Sequence, residues 1–221
     1  MDTNWAAEHL QVIRTLMERS AVYRRALAPV MILNGVLGTA GSITALALEI
    51  DTPRSFILYW VCVAVLGLAG SFFLVRRQAL KASEPFWSPP TRRVTQAMLP
   101  ALAAGGIITG IAYVTLAAAP IDAGHIQGAT AGYVTCMLWL PAGWIILYGC
   151  GFHAAGFFMP RGMKVFGWAL ILGGCALLAI GIPDRYHRLE HSHAIMGFFF
   201  GLLHLAYGTY LYFTEKRRNE T

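Results

Sequence analysis

The sequence predicts an all-α fold: a polytopic integral membrane bundle of six transmembrane helices, preceded by a cytoplasmic amphipathic helix. Three observations predict it. Of 221 residues, 57% are hydrophobic and only 13% charged, where a soluble domain carries about a quarter charged residues. The 11 acidic residues stand apart, leaving several uncharged stretches of the roughly 20 residues that a span requires. Runs such as Val61–Leu68 do not alternate in polarity, as strands of a transmembrane barrel would. Lipid offers no partner to a backbone N–H or C=O, so each stretch must close its hydrogen bonds within itself, as a helix.

Residues 1–26 come first. From Trp5 to Arg25, Leu10, Ile13 and Met17 share one helical face, while Arg14, Glu18 and Arg25 lie elsewhere on the wheel. That pattern predicts a helix lying on the membrane surface, either as an entry anchor or as a docking surface for another subunit. It is not a cleavable signal peptide, which would open on a short apolar core and a cleavage site. The transmembrane domain follows over 27–215, with spans predicted at Leu27–Leu48, Phe56–Val75, Thr95–Ala118, Ala131–Phe157, Val165–Ile182 and Ala194–Phe213. No Asp, Glu, Lys or Arg falls inside any of them. Between the second and third, Pro85, Pro89 and Pro90 predict a stiff loop over Ser83–Thr91, with Phe86 and Trp87 dipping into the interface. Pro141 predicts a kink in the fourth span, freeing a carbonyl near Met137. Residues 216–221 form a basic tail.

Charge sets the orientation. Arg14, Arg19, Arg24 and Arg25, then Arg76, Arg77, Lys81, Arg92 and Arg93, then Arg161 and Lys164, then Lys216, Arg217 and Arg218 all fall on one side. Only Arg54, Arg185 and Arg188 fall on the other. The positive-inside rule places both termini in the cytoplasm. The net charge of +6 is therefore read as topology, and no nucleic acid is expected as a partner.

Several activities are disfavoured. Ion-coupled pumps use ionisable groups within the membrane, and here the spans hold no carboxylate, only His204 at mid-depth and His153 nearer the cytoplasmic end. No phosphate-cradling or dinucleotide-binding glycine pattern occurs. Cys62, Cys136, Cys150 and Cys175 are widely spaced and read as small buried hydrophobes, not as a zinc or redox site.

The histidines carry the functional signal. Orientation from Lys and Arg alone places His125, His187, His191 and His193 together on the outer side, beside Asp122, Asp184 and Glu190. In a helix His187 and His191 are one turn apart and share a face. Two imidazoles at that spacing can chelate a divalent ion, with a third ligand from His125, Asp122 or Glu190, so His125, His187, His191 and His193 are the candidate divalent-metal residues; otherwise they are amphipathic residues of an interfacial loop. His204 stands in a stripe with His193, Gly197, Gly201 and Gly208. Glycines at this spacing let helices approach closely, or leave room for a flat cofactor, with His204 as an axial haem ligand. His153 as a second ligand is mismatched in depth by about 10 Å. Asn34, Thr39 and Ser42 of the first span, set against the kinked fourth, would frame a polar pocket.

The segments Met17-Glu18-Arg19-Ser20 with Tyr23-Arg24, Leu138-Trp139 through Tyr148-Gly149, and Met196-Gly197 through Gly208 resemble a group of bacterial six-span membrane proteins with no assigned activity. The resemblance covers most of the chain. It implies a bacterial inner-membrane location and carries over no catalytic residue. The expected role is a non-catalytic membrane subunit or binding component, associating with other subunits or with copies of itself, with a histidine-held haem or divalent metal as the candidate cofactor. The alternatives are a metal-dependent hydrolase or hydroxylase, and a passive channel or carrier for a small neutral solute.

Overall fold

The computed structural model describes residues 27–81, 85–118, 138–159, 162–181 and 189–219. The predicted N-terminal amphipathic helix, His125 and His187 lie outside them. The described residues form six helices and no strand: α1 (Leu27–Ala47), α2 (Pro53–Lys81), α3 (Pro89–Ala118), α4 (Leu140–Ala155), α5 (Gly162–Ile180) and α6 (Leu189–Asn219). Five of them are long and apolar enough to cross a membrane. The exception is α4, whose 16 residues rise about 24 Å, short of a roughly 30 Å hydrocarbon core. The count of six spans therefore stays an expectation.

Helices outrun their apolar stretches at both ends, because a backbone ladder continues into the polar interface for as long as nothing breaks it. Proline marks the starts. Pro53 opens α2 behind Thr52, whose Oγ1 accepts the Ser55 N–H at 3.3 Å, and Pro89 opens α3 behind Ser88, whose carbonyl accepts the Arg92 N–H. Of the stretch expected to be a stiff loop, residues 85–88 are non-helical and residues 89–91 form the first turn of α3. Pro141 likewise sits in the first turn of α4, preceded by a π-type turn at residues 138–139; Met137, the expected site of a freed carbonyl, is outside the described residues. At its other end α1 closes through Glu49, left-handed at φ 50°, with the Ile50 N–H on the Ala45 carbonyl. Gly181, at φ 69°, ends α5 in the same way.

Sequential helices run antiparallel. Asn34 donates to Ser71 while Gly41 lies on Val63, which sets α1 against α2. The Trp144 indole donates to Thr109 Oγ1 at 2.8 Å, which sets α4 against α3. Gly149 meets Gly167 and Ile171 of α5, while Gly174 meets Ala142 of α4. The chain closes on itself through α6, where Gly208 faces Ile32, Gly201 faces Thr39 and Gly197 faces Ser42 of α1. Two core clusters result. One, nearer the α4–α5 turn, gathers Met31, Phe152, Met163, Phe166, Leu170 and Phe199. The other, nearer the α1–α2 turn, gathers Phe56, Ile57, Trp60, Leu140, Leu189 and Met196. The outer surface is apolar, with Ile43, Leu66, Phe73, Ile107, Val165, Leu172 and Ile180 all exposed. An apolar exterior over long helices is the arrangement of a protein solvated by lipid.

Cys62, Cys150 and Cys175 are exposed on this surface, a correction to the buried placement expected of them. A thiol is apolar enough to face lipid, and burial in a membrane protein goes to residues that pack helices. The polar residues of α1 also turn elsewhere than predicted. Asn34 donates to Val30 and Ser71, and Ser42 donates to the His193 carbonyl, so they tie α1 to α2 and α6 rather than framing a pocket with α4.

Candidate functional site

Helix α6 buries two histidines, each 1% exposed, and they are used differently. His193 lies in the second turn of α6. Its Nδ1 is 3.0 Å from the Trp60 indole nitrogen, and its Nε2 is 3.0 Å from the Ile50 carbonyl. An indole N–H only donates and a carbonyl only accepts. His193 is therefore a neutral imidazole with its proton on Nε2, accepting from Trp60 and donating to Ile50. The left-handed turn at Glu49 brings that carbonyl to it. Phe56 and Trp60 enclose the ring at centroid distances of 5.0 and 6.1 Å, and Phe56 in turn stacks on Trp144. Ser42 Oγ donates to the His193 carbonyl at 2.8 Å. One imidazole thus joins α1, α2 and α6, with every polar atom of the ring satisfied.

His204 depends on a defect in its own helix. Residues Gly197–Leu202 are π-helical, and the Leu203 N–H reaches back to the Phe198 carbonyl. In an unbroken α-helix that N–H would go to Phe199. The Phe199 carbonyl loses this partner, and His204 Nδ1 lies 2.9 Å from it. Because the partner is a carbonyl, Nδ1 carries the proton. Nε2 is then a bare lone pair, buried and without a hydrogen-bond partner. Around it stand Tyr148, Phe152, Phe166 and Phe200, at ring-centroid distances of 4.9 to 6.2 Å. The Tyr207 hydroxyl, one turn along α6, and Thr39 Oγ1 on α1 are also buried without partners. A histidine whose second nitrogen donates to a backbone carbonyl is oriented as metal-ligating histidines are.

The glycine stripe has the first of its two predicted uses. A Cβ on Gly201 would come within 2.5 Å of Thr39 Oγ1 and 2.7 Å of the Thr39 nitrogen, and one on Gly197 within 2.5 Å of Ser42. On Gly208 it would meet the Ile32 nitrogen at 2.9 Å. Helix α1 occupies the face on which a flat cofactor would have lain, so these three glycines serve helix contact. His153 does not turn toward His204: its ring meets Phe157 and Trp168. Of the histidines expected on the outer side, His193 is committed to the clamp just described and His191 is half-buried. Among the described residues no three His, Cys, Asp or Glu side chains converge as metal ligands.

Trp60 as the partner of His193, and the aromatic residues of α4 and α5 as the walls around His204, were not expected from the sequence. A signal for Trp60 existed in its spacing of four from Phe56, which puts both on one face of α2. No local signal marked the π-helical segment.

Fold and site together define a helical, membrane-type bundle with an aromatic-rich core. No family model, curated protein or solved structure matches this chain.

Proposed function

We propose that the chain is a multi-pass protein of a bacterial inner membrane, with both termini cytoplasmic, and that it acts as a non-catalytic subunit or binding component. The supporting observation is the contrast between an apolar exterior and an interior closed by side chains. Phe199 and Phe200 turn into the bundle, where Tyr148, Phe152 and Phe166 fill the space about His204. That filling counts against a solute path at this level. The engagement of both His193 nitrogens counts against a hydrolytic metal centre that would use this residue, since ligation at either one would strand Trp60 or Ile50. The test is cell fractionation combined with labelling of single cysteines placed at residues 2 and 220 by a membrane-impermeant maleimide. Protection of both in intact cells and recovery of the protein only with detergent are expected. Labelling of either terminus from outside defeats the orientation.

A second reading rests on the lone pair of His204 Nε2. A histidine with this orientation suits an iron or divalent-metal ligand, with the remaining ligands supplied from other residues. Absorption spectra and metal analysis of purified wild-type protein and a His204→Leu variant decide it. A colourless, metal-free, folded wild-type protein removes this reading.

A further inference from the structure

We infer that the α2–α3 hairpin is a docking edge for the headgroup of an anionic phospholipid, a proposal that rests on the membrane reading above. Helix α2 stays helical past its apolar stretch through Arg76, Arg77 and Lys81. The chain then turns back. Phe86 packs edge-on against Phe72 of α2 at 4.9 Å, and Thr91 Oγ1 donates to the Phe86 carbonyl at 2.9 Å. Phe72 lies one turn, about 6 Å, below Arg76. The return of the chain to Phe72 therefore puts the first turn of α3, with Arg92 and Arg93, at the same end of the hairpin as Arg76 and Arg77.

All four arginines are exposed, and none pairs with an acidic side chain among the described residues; Glu84 lies outside them. Arg92 and Arg93 sit at a helix N-terminus, where a cation opposes the helix dipole and an anion offsets that cost. Phe73, Leu80 and Trp87 are exposed on the same hairpin, at 65%, 70% and 58%. Guanidinium groups gathered at one end of the hairpin beside exposed aromatic and aliphatic side chains fit a ligand with a phosphodiester at one end and acyl chains at the other. An acidic protein would use the charges and leave the apolar side chains unexplained.

The test uses the full-length protein in mild detergent, with dioleoyl phosphatidylglycerol and dioleoyl phosphatidylcholine as probes and bound lipid counted by native mass spectrometry. The wild type should prefer phosphatidylglycerol by about tenfold or more, as expected when several basic residues act together, and the preference should shrink with salt. A variant carrying Arg76→Gln, Arg77→Gln, Arg92→Gln and Arg93→Gln should lose it. A control carrying Lys216→Gln, Arg217→Gln and Arg218→Gln should keep it. Soluble glycerol phosphate should not compete. Absence of preference in the wild type, its persistence in the fourfold variant, or its equal loss in the tail control overturns the proposal. Competition by glycerol phosphate reassigns the site to a free phosphate ester and equally overturns it. Should the fourfold variant fail to fold, the salt dependence of the wild type decides. A protein that needs detergent yet shows no preference refutes this inference alone, whereas one soluble without detergent refutes the membrane reading.

Discussion

Helices α6 and α3 carry the same motif and meet opposite surroundings. Gly197 and Gly201 on α6, and Gly106 and Gly110 on α3, are both glycine pairs four residues apart. On α6 the pair is pressed against Ser42 and Thr39 of α1, with no room for a methyl group. On α3 no atom of the described residues lies within 4 Å of where a Cβ would stand on either glycine. The α3 span is also the least buried of the five, whereas α6 holds the two buried histidines. The motif permits close approach but does not choose the neighbour. The polar residues around it discriminate better: Ser42 on α1 reaches the backbone of α6, while Thr109 of α3 turns inward to Trp144.

The largest expected effect lies at Gly201. Replacing it with leucine drives a side chain into the Thr39 backbone and should prevent a folded bundle from accumulating; alanine should cost about 1–3 kcal/mol. Thermal denaturation followed by size exclusion in detergent checks both. Gly201→Ala with unchanged melting would mean that α1 does not sit where the contrast requires. Next comes the clamp. His193→Leu strands the Trp60 N–H and the Ile50 carbonyl, and Trp60→Phe strands only His193 Nδ1, so the first should cost more than the second, each in the range of about 1–3 kcal/mol per stranded group. A double-mutant cycle between positions 60 and 193 should return a coupling that an indirect packing role would lack.

His204→Leu sharpens the comparison within α6. It strands only the Phe199 carbonyl and removes an unpartnered lone pair, so its cost should be smaller than that of His193→Leu in the same melting assay. A larger cost would show that Nε2 has a partner in the folded protein. The smallest effect belongs to α3. Gly106→Ala and Gly110→Ala should leave the melting temperature unchanged or raise it, with a gain of up to about 1 kcal/mol from helix propensity. Destabilisation on that open face would mean that something covers it.

Most of the helical fold was legible in the sequence, because lipid enforces a local rule. A long uncharged stretch must be a helix, and α1, α2, α3, α5 and α6 all include the apolar cores expected of them. Helix ends were less legible, since the ladder runs on through polar residues such as Arg76–Lys81 until proline or a left-handed residue stops it. The site was legible by halves. That His204 and the α6 glycines share an inward stripe followed from helical periodicity. That His193 meets Trp60, 133 residues away, did not.

The sequence by itself determined the class of this protein, an all-helical bundle with an apolar exterior, because backbone satisfaction and the length of apolar stretches are properties of each segment alone. Tertiary structure decided which glycine pair became an interface, which face Cys62, Cys150 and Cys175 took, and which tautomer His193 and His204 hold. Those outcomes depend on groups far apart in the chain: Trp60 and Ile50 for His193, α1 for Gly201. The π-helical turn that frees the Phe199 carbonyl belongs with them, since α1 and α5 hold it in place through Thr39 against Gly201 and Gly173 against Phe199.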